Sequence, residues 1–304
     1  MIRNIILLIM LIFIIYIFST RINEYFTENI IEFKKDQFIN PDNFKEEYKD
    51  ILLNYSYYFN PINLQKRGLK NIDDLLLTYV SSLKSSNNNF IYRFNKNLNY
   101  NITDKLYPFL EYIVPKSRIV KINGIENNYP HTHRDIMFFN DVPSGFIIVH
   151  ELVHIDQRLN QNFYNNIYRL WGFEKVNKIN NFNVLKNNSR TNPDGLDLFW
   201  IWNYNNKHYW IGKIYDTKFN NISDATSKIC TMDKINGIYK YNNHMVNLNE
   251  SNDYKSFFGN ISGNDYHPNE IVAEYITQII YNNNEPKYPA EKIFLEEYNK
   301  RFIK

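Results

Sequence analysis

Two histidines and a glutamate stand at a spacing that can bind a metal ion and use it. The chain reads His150-Glu151-Leu152-Val153-His154, which has the H-E-x-x-H form. Four residues of helix advance the chain by about 6 Å and by about 40° around the axis, so both imidazoles would share one face. Such a pair suits a tetrahedral Zn²⁺, and a glutamate beside the ion suits a general base. The motif predicts one zinc ion held by His150 and His154, with Glu151 as the catalytic base.

The surrounding segment predicts a helix even if the histidines are ignored. It covers residues 145–168, after Pro143 and Ser144, and its apolar residues at helical spacing are Ile148, Leu152, Ile155 and Leu159. These side chains would fix the helix on a core while the histidines face away from it. The alternative is a chance match in a helix with two surface histidines. A structural metal site has no use for a base, so the intact Glu151 favours catalysis.

A catalytic zinc site needs a third protein ligand and one open position for water. The best candidate segment reads His267-Pro268-Asn269-Glu270-Ile271-Val272-Ala273-Glu274. Proline suits the first turn of a helix, in which Glu270 and Glu274 would share a face. The predicted buried face of this helix comprises Ile271, Val272, Tyr275, Ile276, Ile279 and Ile280. Two alternatives stay open: the acidic pair is an ordinary solvated face, or His267 is the third ligand.

The second segment resembles the N-E-x-x-[SA]-[DE] element of the thermolysin-like zinc metallopeptidases, the gluzincins. The resemblance implies a zincin-like fold, with Glu270 as the third zinc ligand and Glu274 as the residue that orients a ligating histidine, with His150 as the expected partner. The spacing departs from the family, since His154 and Glu270 are 116 positions apart, whereas the best-known members have a few dozen residues here. Residues 131–280 also resemble uncharacterised metallopeptidase-like proteins of large DNA viruses, through HELVHIDQR, residues 190–194 and HPNEIVAE.

Composition and charge exclude several classes of function. The net charge is +3, and the basic residues are spread along the chain rather than clustered. The chain therefore lacks a basic stripe of the kind that binds phosphates, and nucleic acid is not expected as a partner. Cys230 is the only cysteine, which excludes an internal disulfide and a Cys-rich zinc site. Asparagine is abundant, and its runs are interpreted as loop filler. A metal would therefore be held by histidine and carboxylate groups.

The first residues predict a membrane anchor. Residues 5–18 form an unbroken apolar run, with Arg3 before it and Arg21 after it. No A-x-A-like pair of small residues follows, so an uncleaved signal anchor is favoured over a removed signal peptide or a core helix. The prediction is a single-pass membrane protein whose catalytic domain is extracytoplasmic or associated with a virion. The basic residues on the two sides are too balanced to set the orientation.

The expected architecture is an α+β protein in three parts: an anchor over residues 1–21, a helical accessory region over 22–113 and a zincin-like metallopeptidase domain over 114–304.

Within these parts, periodic apolar positions predict helices over 73–83 and 104–113. Residues 118–122 and 136–139 have strand composition and predict a small mixed sheet. By resemblance, the strand over 136–139 would lie beside the active-site helix and offer its edge to an extended peptide. Residues 178–244 alternate aromatic runs with Asn and Gly, and they are interpreted as loops and minor strands.

These features predict a membrane-tethered zinc peptidase that hydrolyses amide bonds in a peptide or protein substrate, with water activated by Glu151. Residues able to stabilise the oxyanion are His131, His133, Arg190, Tyr266 and His267. The segment 131–133 is interpreted as a cleft rim or a surface turn. Arg190 either binds a substrate carboxylate or pairs with Asp194, and the pairing is favoured. The alternatives are a membrane-anchored surface or virion protein with a structural or vestigial zinc site, and a zinc hydrolase of small amides or cell-wall material.

Overall fold

A computed structural model gives the fold of most of the chain. It describes residues 30–56, 59–83, 93–95, 103–141, 143–194, 198–215, 222–261 and 263–303. These ranges contain both helices and sheets, in agreement with the predicted α+β class. The predicted anchor over residues 1–21 lies outside them. Within them, no helix combines the length and the apolar character that crossing a membrane requires.

Helices dominate the first described part of the chain, as predicted. The elements are β1 (Ile30–Glu32), α1 (Pro41–Ser56), α2 (Pro61–Lys66), α3 (Ile72–Ser82), β2 (Arg93–Asn95) and α4 (Tyr107–Ile113). The predicted helix over 73–83 is α3, and it begins where the side chain of Asn71 accepts a hydrogen bond from the Asp74 amide. Helix α4 begins later than predicted, because residues 104–106 form a turn. The antiparallel pairing of β1 with β2 was not predicted.

The predicted small sheet is present and has three strands. It consists of β3 (Arg118–Lys121), β4 (His131–His133) and β5 (Ile136–Phe139), in the order β3-β5-β4. Strand β5 pairs parallel with β3 and antiparallel with β4. The expectation that residues 136–139 present a free edge is therefore wrong. Residues 131–133, interpreted as a rim or surface turn, form the strand that covers this edge.

The segment predicted as one long helix forms two. Helix α5 (Gly145–Leu159) carries the H-E-x-x-H motif, and α6 (Gln161–Leu170) follows it. The break falls at Asn160, whose φ of −130° and ψ of 45° are not helical. Asn160 donates through Nδ2 to the Asp156 carboxylate at 2.6 Å, a local side-chain bond of the kind that competes with helix continuation.

The three-stranded sheet is buried on both faces, because successive side chains of a strand point to opposite sides. One face, with Met137 and Phe139, packs in the core that contains Leu152 of α5. The other face, with Ile136 and Phe138, packs in a core formed with helices α1 to α3. The motif helix is thus fixed on a rigid support that the N-terminal helices cover from behind.

A large antiparallel sheet occupies the region between the two sequence motifs. Its elements are β6 (Phe173–Lys175), β7 (Ile179–Asn180), the short helix α7 (Asn183–Asn188), β8 (Trp200–Tyr204), β9 (Lys207–Tyr215), β10 (Ala225–Ile235) and β11 (Ile238–Asn247). The strand order is β6-β8-β9-β10-β11-β7, and only the β7–β11 pairing is parallel. The interpretation of residues 178–244 as loops and minor strands is wrong.

Asparagine explains the error. Two-residue turns at Asn205-Asn206 and Asn236-Gly237 join β8 to β9 and β10 to β11. Their φ angles are positive, at 50° and 59° in the first turn and 50° and 79° in the second. Positive φ at both central residues defines the type I′ hairpin turn, which Asn and Gly favour. In so Asn-rich a chain these two hairpin signals are not distinguished from the Asn and Gly of irregular loops.

The C-terminal part is helical, although the sequence predicts only the helix that begins at His267-Pro268. It contains α8 (Asn252–Phe258), α9 (Pro268–Tyr275), a π-helical segment over Ile276–Tyr281 and α10 (Pro289–Phe302). Helix α9 begins at the proline because the imidazole of His267 caps it, accepting through Nδ1 from the Asn269 amide at 3.2 Å. Every residue of the predicted apolar face is buried: Ile271, Val272, Tyr275, Ile276, Ile279 and Ile280.

A buried ion pair joins the N-terminal helices to the rest of the chain. Arg67 donates from Nε and Nη2 to the two carboxylate oxygens of Glu126 at 2.8 and 2.9 Å, and Tyr79 donates its hydroxyl to the same carboxylate. Arg67 also donates to the Thr191 carbonyl at 2.9 Å. Burial by itself would raise the pKa of Glu126, but the charge and hydrogen bonds of Arg67 lower it to about 2.

This ion pair predicts a specific loss of stability in acid. Because the folded-state pKa of Glu126 lies below its ordinary value, its contribution of about 3 kcal/mol is complete above about pH 4.5 and disappears as the pH falls towards 2. The free energy of unfolding, measured by denaturant titration, should fall between about pH 6 and pH 3 by about 2 kcal/mol more in wild type than in Glu126→Gln. Equal losses in the two proteins would contradict the assignment.

Candidate metal centre

Three buried side chains converge from two helices. His150 and His154 come from successive turns of α5, and Glu270 comes from the first turn of α9. The Nε2 atoms of His150 and His154 are 3.1 Å apart. Oε2 of Glu270 lies 3.4 Å from Nε2 of His150 and 3.7 Å from Nε2 of His154. The three residues are between 2% and 8% exposed. The structure thus brings together the three predicted ligands, and His267 takes a different role as the cap of α9.

The triangle of these atoms has the size that a tetrahedral ion requires. Bonds of about 2.0–2.1 Å from Zn²⁺ to nitrogen and oxygen place neighbouring ligand atoms about 3.3 Å apart. The observed edges of 3.1, 3.4 and 3.7 Å bracket that value. Two imidazoles and one carboxylate are also a donor set that suits zinc. The described residues can therefore hold a metal ion at this point.

A glutamine fixes the ring of His154. Gln157 donates through Nε2 to the Asn269 carbonyl at 2.8 Å, so its Oε1 must face the imidazole, where it lies 2.9 Å from Nδ1 of His154. A carbonyl oxygen only accepts, so Nδ1 carries the proton and the lone pair of Nε2 points to the ligand position. The same glutamine links α5 to α9. Sequence analysis misses this role of Gln157, because its partner Asn269 lies 112 positions away in the chain.

The third candidate ligand, Glu270, is held by Asn192 and Tyr266, a role that the sequence does not indicate for either residue. Asn192 donates through Nδ2 to Oε1 of Glu270 at 2.6 Å and to the Tyr266 hydroxyl at 2.5 Å. The Tyr266 hydroxyl lies 3.4 Å from the same Oε1. These contacts hold Oε1 and leave Oε2 facing the histidines. Asn192 belongs to the 190–194 segment quoted for the viral resemblance, which was its only signal.

Glu274 does not form the predicted hydrogen bond to His150. Its Oε1 accepts from Nε2 of Gln278 at 2.7 Å, and its Oε2 accepts from Nδ2 of Asn264 at 3.4 Å. Nδ1 of His150 is buried and has no hydrogen-bond partner among the described residues. The carboxylate is buried nearby, and its charge adds to that of Glu270 in raising the pKa of His150 against the effect of burial. Its contribution to the site is thus electrostatic.

Glu151 lies beside the three candidate ligands, in a cluster that it forms with Asp194 and His154. One carboxylate oxygen of Glu151, one of Asp194 and a ring nitrogen of His154 lie within 4.8 Å of one another. Oε2 of Glu151 is buried without a hydrogen-bond partner among the described residues. Burial raises the pKa of Glu151 well above its ordinary value, and the charges of Asp194 and Glu270 raise it further. A raised pKa makes a carboxylate a stronger proton acceptor.

Asp194 is paired with Arg158, so the interpretation that Arg190 pairs with it is wrong. Oδ1 of Asp194 accepts from Nη2 of Arg158 at 3.1 Å and from the Thr132 amide at 3.1 Å. Arg158 also donates to the carbonyls of Thr132 and Pro193, at 3.1 and 3.3 Å. These bonds tie strand β4 and residues 193–194 to the motif helix. They also occupy the outer edge of β4 at Thr132.

The three candidate ligands open on a cavity of about 330 Å³. Glu151, His131, Arg190 and Tyr266 line the same cavity, together with Lys213 of β9. Among the residues predicted to stabilise an oxyanion, His131, Arg190 and Tyr266 therefore line the cavity, whereas His133 and His267 do not. His133 is enclosed by the rings of Tyr55 and Phe138, at 4.7 and 5.2 Å.

The arrangement combines a metal position, a proton acceptor and an adjoining cavity, which together suit metal-assisted hydrolysis. No family model, curated protein or solved structure matches the chain.

The role of Gln157 can be tested by removing its acceptor. Gln157→Leu should weaken zinc binding about 10- to 100-fold, because the His154 ring loses the bond that fixes its tautomer and orientation. Competition with a chelator would measure the affinity. The matched control is Gln161→Leu, at an exposed position at the start of α6, which should bind zinc as wild type does. Equal affinities in the two variants would remove Gln157 from the site.

Proposed function

We propose that the chain is a zinc-dependent peptidase of the gluzincin type, in which His150, His154 and Glu270 hold one Zn²⁺ and Glu151 is the catalytic base. The observation that carries the proposal is the triangle of 3.1, 3.4 and 3.7 Å between Nε2, Nε2 and Oε2 of the three ligands. The crossing of a motif helix with a second helix that supplies a glutamate supports a zincin-like catalytic domain.

The cavity favours catalysis over a closed structural site. A structural zinc ion has four protein ligands, whereas a catalytic one keeps a position for water or substrate. Beyond His150, His154 and Glu270, the fourth side of the site faces a cavity of about 330 Å³ rather than packed side chains. Asp194, which lies close to His154 and Glu151, is bonded through Oδ1 to Arg158 and Thr132.

The chemistry follows from the positions of the side chains. When bound, Zn²⁺ lowers the pKa of water to near neutrality and polarises a carbonyl group. Glu151 accepts the proton of the attacking water and delivers it to the leaving amine. His131 presents a buried Nε2 without a partner among the described residues, and it lines the same cavity. Its ring is stacked on Phe138 at 5.0 Å, and its Nδ1, 3.0 Å from the Tyr129 carbonyl, carries the proton of the neutral ring, so Nε2 is an acceptor placed for a substrate N–H group.

The proposal includes the membrane location predicted from the first residues. An apolar run over residues 5–18 would anchor the chain, and the catalytic domain would act on peptide or protein substrates outside the cytoplasm or at a virion surface.

Metal content and hydrolysis of peptides by the purified full chain test the proposal together. Wild type should bind one equivalent of zinc, His150→Ala and Glu270→Ala should lose it, and Glu151→Gln should keep it. In Glu151→Gln, kcat should fall about 10²- to 10⁴-fold, because the base is removed without disturbing a ligand. His244→Ala is the matched control, since this histidine is exposed on β11, and it should retain both zinc and activity.

Two results would overturn the proposal in different ways. A folded wild type without stoichiometric metal would remove the metal centre altogether. A wild type that binds zinc but shows no hydrolysis, and no effect of Glu151→Gln on any property, would favour the alternative of an anchored surface or virion protein with a structural or vestigial site.

A further inference from the structure

Two cationic side chains line the cavity on the side of the large sheet. Arg190 lies two positions before Asn192, whose side chain is hydrogen-bonded to Glu270, and Lys213 belongs to β9. The backbone places them together, because the Arg190 amide donates to the Lys213 carbonyl at 2.8 Å. Aromatic rings lie beside both groups: the guanidinium carbon of Arg190 lies 5.8 Å from the Tyr129 ring centre, and Nζ of Lys213 lies 4.7 Å from that of Tyr266.

Among the described residues, neither cation has a counter-ion of its own. None of the ion pairs between described residues includes Arg190 or Lys213. Nε of Arg190 is buried without a hydrogen-bond partner among those residues. Asp265, on the side of the neighbouring strand β10, is bonded to Ser227 at 2.5 Å. Two unpaired cations next to each other in a partly buried position are energetically unfavourable. Such an arrangement is typical of a site that binds an anion.

The local electrostatics point in the same direction. Burial lowers the pKa of Lys213, and the neighbouring Arg190 lowers it further, although Glu270 and Asp265 act the other way. An anion between the two groups would favour the charged form of Lys213. A carboxylate suits this place, because the planar guanidinium donates to both of its oxygens and the ammonium adds a point charge.

We propose that Arg190 and Lys213 bind a carboxylate of the substrate next to the cleaved amide bond, so that the preferred substrates carry a carboxylate at that position. This inference rests on the proposed peptidase function. The cavity volume of about 330 Å³ is at the lower end of the range of about 300–1,000 Å³ for ligand pockets. The carboxylate therefore belongs to a residue within one or two positions of the bond. It is either the C-terminus of the peptide or the side chain of an Asp or Glu.

Binding of matched peptides tests the inference without turnover. The zinc-loaded full chain with Glu151→Gln would be titrated calorimetrically with an acetylated tetra-alanine as the free acid and as the C-terminal amide. A second set of amidated peptides would carry one Glu or one Gln at each position. The expected result is about 10- to 100-fold tighter binding of the charged member of one pair, the usual effect of hydrogen bonds to a charged group. A preference for the free acid identifies the chain terminus, and a preference for Glu identifies a side chain.

The variants Arg190→Gln and Lys213→Gln, made in the same background, should each lose most of that preference while keeping one equivalent of zinc. Lys213→Arg should retain most of it and Arg190→Lys, which keeps the charge but loses the two-pronged donation, only part of it, which separates loss of charge from loss of fold. Lys240→Gln, at an exposed position on β11, is the matched control and should bind all peptides as the parent does.

The outcomes separate this inference from the proposed function. A zinc-loaded wild type that cleaves charged and uncharged peptides equally well, or variants that bind both members of each pair as the parent does, would overturn the carboxylate site and leave the peptidase standing. A folded chain that takes up no zinc would overturn both.

Discussion

The close approach of two imidazoles and one carboxylate, with ligand atoms 3.1 to 3.7 Å apart in a buried place, is the constraint on which the rest of the structure depends. Such groups lose hydration when they are buried, which costs free energy. Two of the three are held by hydrogen bonds from outside the triangle, His154 by Gln157 and Glu270 by Asn192. A cation at the centre would offset the remaining cost, which is how metal binding and folding become coupled in such sites.

The large sheet is what makes a separation of 116 positions between His154 and Glu270 compatible with one site. The chain leaves the motif helix, builds six strands and returns through helix α8 to α9. On the way it lines the cavity at residues 190–194 and at Lys213, which an antiparallel bridge between Ser189 and Ile214 keeps adjacent, and again at Ser223, Asn264 and Tyr266. Residues 190–194 are then bonded to the N-terminal helices through Arg67 and to the motif helix through Arg158. The intervening region supplies a wall of the site.

Much of the local structure could be predicted because it depends on short-range patterns in the sequence. The spacing of His150 and His154 and the apolar stripe opposite them define the motif helix, and the proline of the second segment marks where α9 begins. Partners from distant segments could not be predicted. Nothing near Lys213 in the sequence indicates a site, and the hydrogen bonds of Gln157 and Asn192 depend on how helices and loops meet. The hairpins could not be predicted for a different reason. Asparagine is favoured both in type I′ hairpin turns and in irregular loops, and in so Asn-rich a chain its presence does not distinguish the two.

The charges of the cavity are divided between two sides, and this division limits what can occupy it. On the helix side, Glu151 and Glu270 carry together the charge that one divalent cation would neutralise, and Asp194 is balanced by Arg158. On the sheet side, Arg190 and Lys213 remain uncompensated among the described residues. With a divalent cation held by the helix side, the positive charge of Arg190 and Lys213 lies on the opposite side of the cavity, away from the ligands. An anionic group entering it is drawn to the sheet side, which leaves the region beside the ligands and Glu151 for the uncharged amide. The same separation gives a bound peptide one direction, because reversing it would place the anion against Glu151 and Glu270.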